Sequence, residues 1–206
     1  MPTNSDKYSA KDPLFDEEHG VLKNLLGITD KDDLYSIEIK NLTRAYKAAA
    51  LLYETDHHFT ATDVCALHKI FLGTIYTWAG NYRDIDISSP GIRYCHASYI
   101  PENMKAFSKR LTELTPFHDG LGKEEITRRV AEIHGELILI HPFRDGNGRT
   151  TRLLCDLLLM QAGYNPLDTS IFYDKKFIDR YHHAIQSAWH SGDYAELISL
   201  FSPLIG

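Results

Sequence analysis

Glu124–Ile140 reads EEITRRVAEIHGELILI and runs directly into His141–Arg152, HPFRDGNGRTTR. In the first stretch Ile126, Val130, Ile133, Leu137 and Ile140 step by four, three, four and three residues, which lays them along one face of an α-helix. This helix packs centrally and delivers the chain to His141. From Arg149 to Ala162 the sequence is apolar on nearly every side, through Leu153, Leu154, Leu157, Leu158, Leu159 and Met160, which marks a buried helix stopped by Gly163. Two helices therefore bracket one polar loop.

Helical spacing dominates upstream from about Ile37. A first helix is expected from Ser36 to Tyr53 and a second from Thr60 or Ala61 to Trp78, stopped at Ala79–Gly80–Asn81. Between Arg83 and Ile100, Ile85–Ile87 and Tyr94–Ile100 flank the turn-rich Ser88–Ser89–Pro90–Gly91, a β-hairpin or flap over about residues 83–100. A helix over Pro101–Leu114 follows, with proline near its first turn. Downstream, Asp174 caps a helix through about His190 with Phe177, Tyr181, Ala184, Ile185 and Ala188 inward, and Gly192 ends it. The last helix is expected to start at Asp193, with Glu196 as a capping-box partner. The reading is a mainly α domain over residues 36–206, preceded by a tail and lead-in over 1–35.

Composition excludes more than it assigns. The chain has 206 residues, 43% apolar and 24% charged, the profile of an ordinary globular domain. A net charge of −6 with no basic run gives no footprint for nucleic acid. No stretch approaches a membrane span and the N-terminus lacks an export signal, so the expected location is cytoplasmic. Cys65, Cys95 and Cys155 are scattered and odd in number, so they read as reduced thiols.

The loop carries the chemistry. Gly146 and Gly148 flank Asn147 just before a buried helix, so backbone amides can converge on one point and form an anion cradle at a positive helix end. Phosphate is the natural occupant. Arg149 and Arg152, three apart in the first turn, add planar forks for phosphate oxygens while opposing the helix dipole, a mismatch that an anionic ligand relieves. Asp145 beside phosphates makes sense with a cation such as Mg²⁺ between them. His141 is suited to remove a proton from an attacking hydroxyl. The lysine-bearing phosphate loop G-x-x-x-x-G-K-[ST] is absent.

HPFRDGNGRTTR resembles the Fic family motif, H-P-F-x-[DE]-G-N-G-R-x-x-R, at every fixed position. Tyr76–Arg83 (YTWAGNYR) is similar to the family's segment before the flap, and Met160–Tyr164 (MQAGY) to its continuation after the active site. The likeness runs from about Asp12 to the C-terminus. The resemblance implies a Fic-type helical bundle with a short β-hairpin flap, and a protein adenylyltransferase that moves AMP from ATP to a Tyr, Ser or Thr hydroxyl of a target protein. It implies that His141 is the general base, that Pro142 and Phe143 hold the loop, and that Asp145 binds Mg²⁺. Gly146, Asn147 and Gly148 would line the anion hole, and Arg149 with Arg152 would take the β- and γ-phosphates. The flap, about Ile87 to His96 and including Cys95, would align the target by strand-like pairing, while Tyr94, Tyr181 and Trp189 would neighbour adenine.

Blander readings compete at other motifs. His57–His58 and His182–His183 face different ways on a helix, with no third ligand evident, and read as surface or cap residues. Cys95–His96 is adjacent in sequence, which does not make a nucleophile–base pair. A Doc-like branch of the family carries lysine where Gly148 stands and transfers the γ-phosphate as a kinase; other branches use other nucleotide-type donors. A catalytically inactive helical binding module is the rival from a different class, and loss of His141, Asn147 or Arg149 would favour it. The family's inhibitory [ST]-x-x-x-E-[GN] helix has no match at either end of the chain: no Ser or Thr stands four before Glu17, Glu18, Glu38 or Glu54, and Ser191 to Glu196 is one residue too long. The implied class is toxin-like, restrained in trans by a small antitoxin whose glutamate would reach Arg152, or else the catalytic part of a translocated effector. A homo-oligomer is compatible with either.

Overall fold

The computed structural model describes residues 12–89, 91–118 and 120–206. The first eleven residues of the expected tail and Pro90 of the expected hairpin turn lie outside them. Two short strands, β1 (Phe15–Asp16) and β2 (Val21–Leu22), pair antiparallel where only a lead-in was expected. Asp16 folds that turn by accepting hydrogen bonds from the amides of Glu18 and His19, and Val21 and Leu22 are buried in the core.

Helix α1 (Lys31–Leu52) starts five residues before the expected Ser36. Asp30 accepts from the amides of Asp32 and Asp33, whose own carboxylates favour a positive helix end, so the chain commits to a helix before its apolar spacing begins. Helix α2 (Ala61–Leu72) opens with a capping box between Thr60 and Asp63 and ends at Gly73, short of the expected Trp78. Ile75 leaves the helix to accept a bond from Leu25 and joins the core.

The flap exists with a smaller ladder than expected. Strands β3 (Ser88–Ser89) and β4 (Ile92–Arg93) pair Ser88 with Arg93 and Ser89 with Ile92, so both serines assigned to the turn are strand residues. Tyr94–Ile100 is not a strand. It passes into a 3₁₀ turn at Ala97–Tyr99 because Asp86 accepts from Ala97 and the His96 ring accepts from Ser98. Helix α3 (Ile100–Leu114) then begins with Pro101 in its first turn.

Helices α4 (Lys123–Ile140) and α5 (Asn147–Gln161) form the centre, each within a residue or two of the bounds read from periodicity. Ile126, Val130, Ile133 and Leu137 are buried on α4, and Leu153, Leu154, Leu158 and Leu159 on α5. Helix α6 (Lys175–Ser191) is capped by Asp174 and stopped by Gly192 at φ +69°, with all five expected inward residues buried. Helix α7 (Ala195–Phe201) crosses α4 at Gly135, where a Cβ would sit 2.4 Å from the Tyr194 ring, so only glycine admits that approach. Helix α7 starts at Ala195, two residues after the expected Asp193, whose carboxylate accepts from the Ala195 amide at 2.8 Å; Glu196 is not a capping-box partner and pairs with His183 at 2.7 Å instead. Among the described residues no helix is long and apolar enough to cross a membrane.

Candidate active site

Helix α4 ends on His141, which adopts φ +49°, ψ +59° and is the one non-glycine residue at positive φ among those described. Left-handed backbone costs an L-residue about 1–2 kcal/mol, so the surroundings must impose it. They do so by satisfying the carbonyls at the helix end one after another. The His141 amide donates to Leu137 O at 3.0 Å, and its Nδ1 lies 3.0 Å from Ile138 O. Cys95 N, from the flap, donates to Leu139 O at 3.1 Å. Arg83 supplies the rest: Nη2 to Ile140 O, Nε to His141 O at 2.8 Å, and its own amide to Pro142 O at 2.9 Å. The same guanidinium reaches Ile85 O and Cys95 O, which ties the base of the flap to the catalytic loop.

That geometry sets the tautomer of His141. A carbonyl oxygen only accepts, so Nδ1 carries the proton and Nε2 is the basic nitrogen. Tyr94 stacks on the imidazole with centroids 3.6 Å apart and planes 14° apart, fixing its plane from the flap side.

Below the loop, His68 of α2 is fully buried and stacks on Phe143 at 3.8 Å. Its Nδ1 accepts from Gly80 N at 2.8 Å and its Nε2 donates to Asp145 O at 2.9 Å. Burial pushes its pKa down to about 4, so it stays a neutral strut. Asn147 closes the turn by bonding both ways to the Phe143 backbone at 2.8 Å, through Oδ1 to the amide and Nδ2 to the carbonyl. Its side chain is therefore spent on the loop. Arg144, between Phe143 and Asp145, is buried against the Asp12 carboxylate, which anchors the lead-in segment to the motif.

Gly146 caps α5 at φ +77°, ψ 0°, where its missing Cβ leaves room for Leu72 and His68. No side chain of the cap residue bonds this helix start, which leaves its first-turn amides without an intrahelical partner. The two arginines differ. Arg152 lies over the Phe172 ring at 4.6 Å and forms no ion pair among the described residues. Arg149 lies over Phe71 at 4.9 Å, with Nη1 bonded to Glu38 of α1 and Nη2 3.6 Å from Asp145.

The flap residues lie as a strip beside this loop. Ile87 is buried, Tyr94 covers His141, and Cys95 sits under Asn103, whose Nδ2 donates to Sγ. His96 is exposed and pairs with Asp86 at 2.9 Å. Tyr181 is enclosed in the core, its hydroxyl 2.9 Å from His134, whereas Trp189 is about half exposed further along α6. Gln186 is the α6 residue beneath the flap tip, where a Cβ on Gly91 would fall 2.3 Å from its Nε2. Sequence reasoning missed Arg83, His68, Glu38 and Gln186. The first three carried a signal, a polar group among buried neighbours.

Residues 58–159 match the model of the Fic/DOC family. The chain is 31% identical over 165 residues to the probable protein adenylyltransferase Fic of Salmonella typhimurium, covering 78% of each chain. It is 32% identical over 161 residues to the protein adenylyltransferase VbhT of Bartonella schoenbuchensis, and there it spans about a third of that protein's length, 32%, against 76% of its own. Among solved structures it is similar to the N-terminal Fic domain of an effector from Bartonella sp. AR 15-3 at 25% identity, TM-score 0.79, covering 94% of this chain and 91% of that one. A second is the ADP-bound Fic domain of a Bartonella quintana protein, at 25% identity and TM-score 0.74, covering 94% of both. The two-helix frame, the loop it holds and relatives matched over most of their own length converge: this chain belongs to the Fic/DOC family.

Proposed function

We propose that this chain is a protein adenylyltransferase that moves AMP from ATP to a Tyr, Ser or Thr hydroxyl of a target protein. The observation that carries the reading is the pairing of a histidine, its basic Nε2 fixed by the Ile138 carbonyl, with the uncapped amide start of α5. The target hydroxyl attacks the α-phosphorus, its proton passes to His141 Nε2, and the bond to the bridging oxygen of the β-phosphate breaks to release pyrophosphate. Backbone amides at Gly146–Gly148 stabilise the charge on the phosphates, and Arg152 extends that stabilisation along the tail.

The residues fit magnesium. Mg²⁺ is usually bound by one or two carboxylates plus substrate phosphates, and Asp145 stands at the edge of the anion site; no cluster of three or more protein ligands exists among the described residues, and this mode needs none. When bound, the ion would neutralise developing phosphate charge, with Asp145 as its protein ligand. The flap would align the target through the edge of β3 and β4, and adenine would lie between Tyr94 and the Gln186 side of α6.

A Doc-like kinase is the second reading, and Gly148 speaks against it. A Cβ there would lie 3.4 Å from Arg152 Nη1, an ordinary contact, so it is the identity of the residue and not packing that separates this chain from the lysine-bearing branch. Regulation by a partner is supported by Arg152, which has no carboxylate paired to it among the described residues, and a small antitoxin would supply one. The Bartonella neighbour is a translocated effector, and export as an effector is the alternative for this chain.

Incubation with α-labelled and with γ-labelled ATP, Mg²⁺ and cell lysate tests the assignment. Label appearing on protein from the α position supports it; label only from the γ position replaces it with the kinase. No transfer by a chain that demonstrably binds ATP favours the inactive binding module.

A further inference from the structure

The two arginines of the loop differ in their surroundings. Glu38 is on the buried face of α1, 6% exposed, in line with Leu34, Asn41 and Ala45. Its Oε1 accepts from the Tyr76 hydroxyl at 2.5 Å and its Oε2 accepts from Arg149. Tyr76 is stacked on Trp78 at 4.6 Å, so Glu38 is clamped from two sides by groups that are themselves packed. Arg149 turns its other terminal nitrogen to Asp145. Burial works against the charge of Arg149, and the carboxylates of Asp145 and Glu38 more than reverse it.

Glu38, Arg149 and Asp145 together carry one net negative charge, which suits a divalent cation better than an incoming phosphate. A phosphate oxygen approaching Arg149 would meet the Glu38 and Asp145 carboxylates already at its terminal nitrogens, and displacing Glu38 would leave a buried carboxylate with Tyr76 as its partner, an expensive exchange. Arg152, over an aromatic face and in no ion pair among the described residues, has no such competitor.

We propose that Glu38 is a positioning residue for this site: through Arg149 it holds the Asp145 carboxylate, so that Arg149 orients the cation ligand and Arg152 meets the phosphate tail. This inference rests on the adenylyl-transfer reading and assigns α1, which lies outside residues 58–159 that match the family, a share in the site. Partners of a metal-binding carboxylate orient it, and their removal weakens metal binding by about 10–100-fold.

The test is binding of the non-hydrolysable analogue AMPPNP to the full chain, titrated with Mg²⁺ and repeated in EDTA. Glu38→Gln keeps the size of the side chain and removes its charge. The expected result is a rise of about tenfold in the Mg²⁺ concentration for half-maximal binding, with affinity in EDTA changed less than about twofold. Arg152→Ala should weaken binding in both conditions alike. Arg149→Met should reproduce the Mg²⁺ shift of Glu38→Gln without adding to it, because both act through Asp145. An unshifted Mg²⁺ dependence in a folded Glu38→Gln, or tighter binding there, overturns the assignment and makes Glu38 a structural group or a competitor. Should that variant not fold, Tyr76→Phe removes one clamp on Glu38 and should give a smaller shift in the same direction; no shift overturns the proposal equally. A wild type that binds AMPPNP yet transfers no AMP from ATP sinks the functional reading alone.

Discussion

Arg83→Met should damage this protein in a way that links stability to the position of the proposed proton acceptor. The side chain is buried, and its nitrogens donate to the carbonyls of Ile85, Cys95, Ile140 and His141. Methionine fills comparable space and donates nothing, so carbonyls at the end of α4 lose their partners. A hydrogen bond from a charged donor contributes about 1.5–3 kcal/mol, and losing the burial penalty of the guanidinium offsets part of the sum. A net loss of about 3 kcal/mol follows, or a fall of roughly 6–12 °C in Tm for a chain of this size. The catalytic loss should exceed the stability loss. Without Arg83 on its carbonyl, His141 can leave the left-handed region, and a displacement of about 1 Å at a base lowers rate by about 10²-fold. Urea denaturation and steady-state AMP transfer below the new Tm measure both quantities. For AMP transfer, kcat should fall about 10²-fold with KM for ATP within about threefold, since α5 and its amides are untouched. Full kcat in a destabilised variant would refute the positioning role, and unchanged stability would refute the bonding pattern itself.

Three further outcomes follow from the same geometry. His141→Ala should abolish transfer while Tm stays within a few degrees of wild type, because α4 and α5 keep their apolar faces; residual transfer above about 1% by a folded variant would remove it as the base. His68 and His134 are buried neutral, with pKa values lowered to about 4 and about 3, so each holds fewer protons folded than unfolded below pH 6.5. Stability is then full above that pH and falls as pH drops toward 4: by pH 5 each histidine costs about 2 kcal/mol, offset by about 1 kcal/mol from Asp156, whose carboxyl burial raises to about 6. Equilibrium unfolding at pH 7.5 and pH 5 should show the fall, and His68→Gln should flatten it by about 2 kcal/mol; an unchanged slope would contradict the neutral strut. Glu196→Ala, which breaks a largely exposed pair with His183, should change stability by under about 1 kcal/mol in the same assay.

Periodicity located α4, α5 and α6 closely because their stability comes from one continuous apolar face, a property local in sequence. It misjudged α1 and α2 at their ends. The capping carboxylate of Asp30 outranks apolar spacing at the start of α1, and Ile75 leaves α2 for the core and a bond from Leu25. The flap ladder was read too long because Asp86 and His96 divert the strand after Tyr94 through bonds that no alternation pattern contains.

Within the site, the sequence by itself determined the chemical parts: a histidine before the loop, glycines and an asparagine at a helix start, a carboxylate and two arginines. Glycine spacing and residue type depend only on neighbours along the chain, so they were legible there. Tertiary structure alone decided how those parts divide the work. Arg83, 58 residues from His141, sets its backbone, and His68, 77 residues from Asp145, holds the loop from below. Glu38, 111 residues away, claims Arg149 and leaves Arg152 without a carboxylate among the described residues. The hints in sequence were polar residues on apolar helix faces, such as Glu38 beside Leu34 and Ala45. Such a residue announces that a buried charge or hydrogen bond needs a partner; which partner it finds is fixed by how the helices pack.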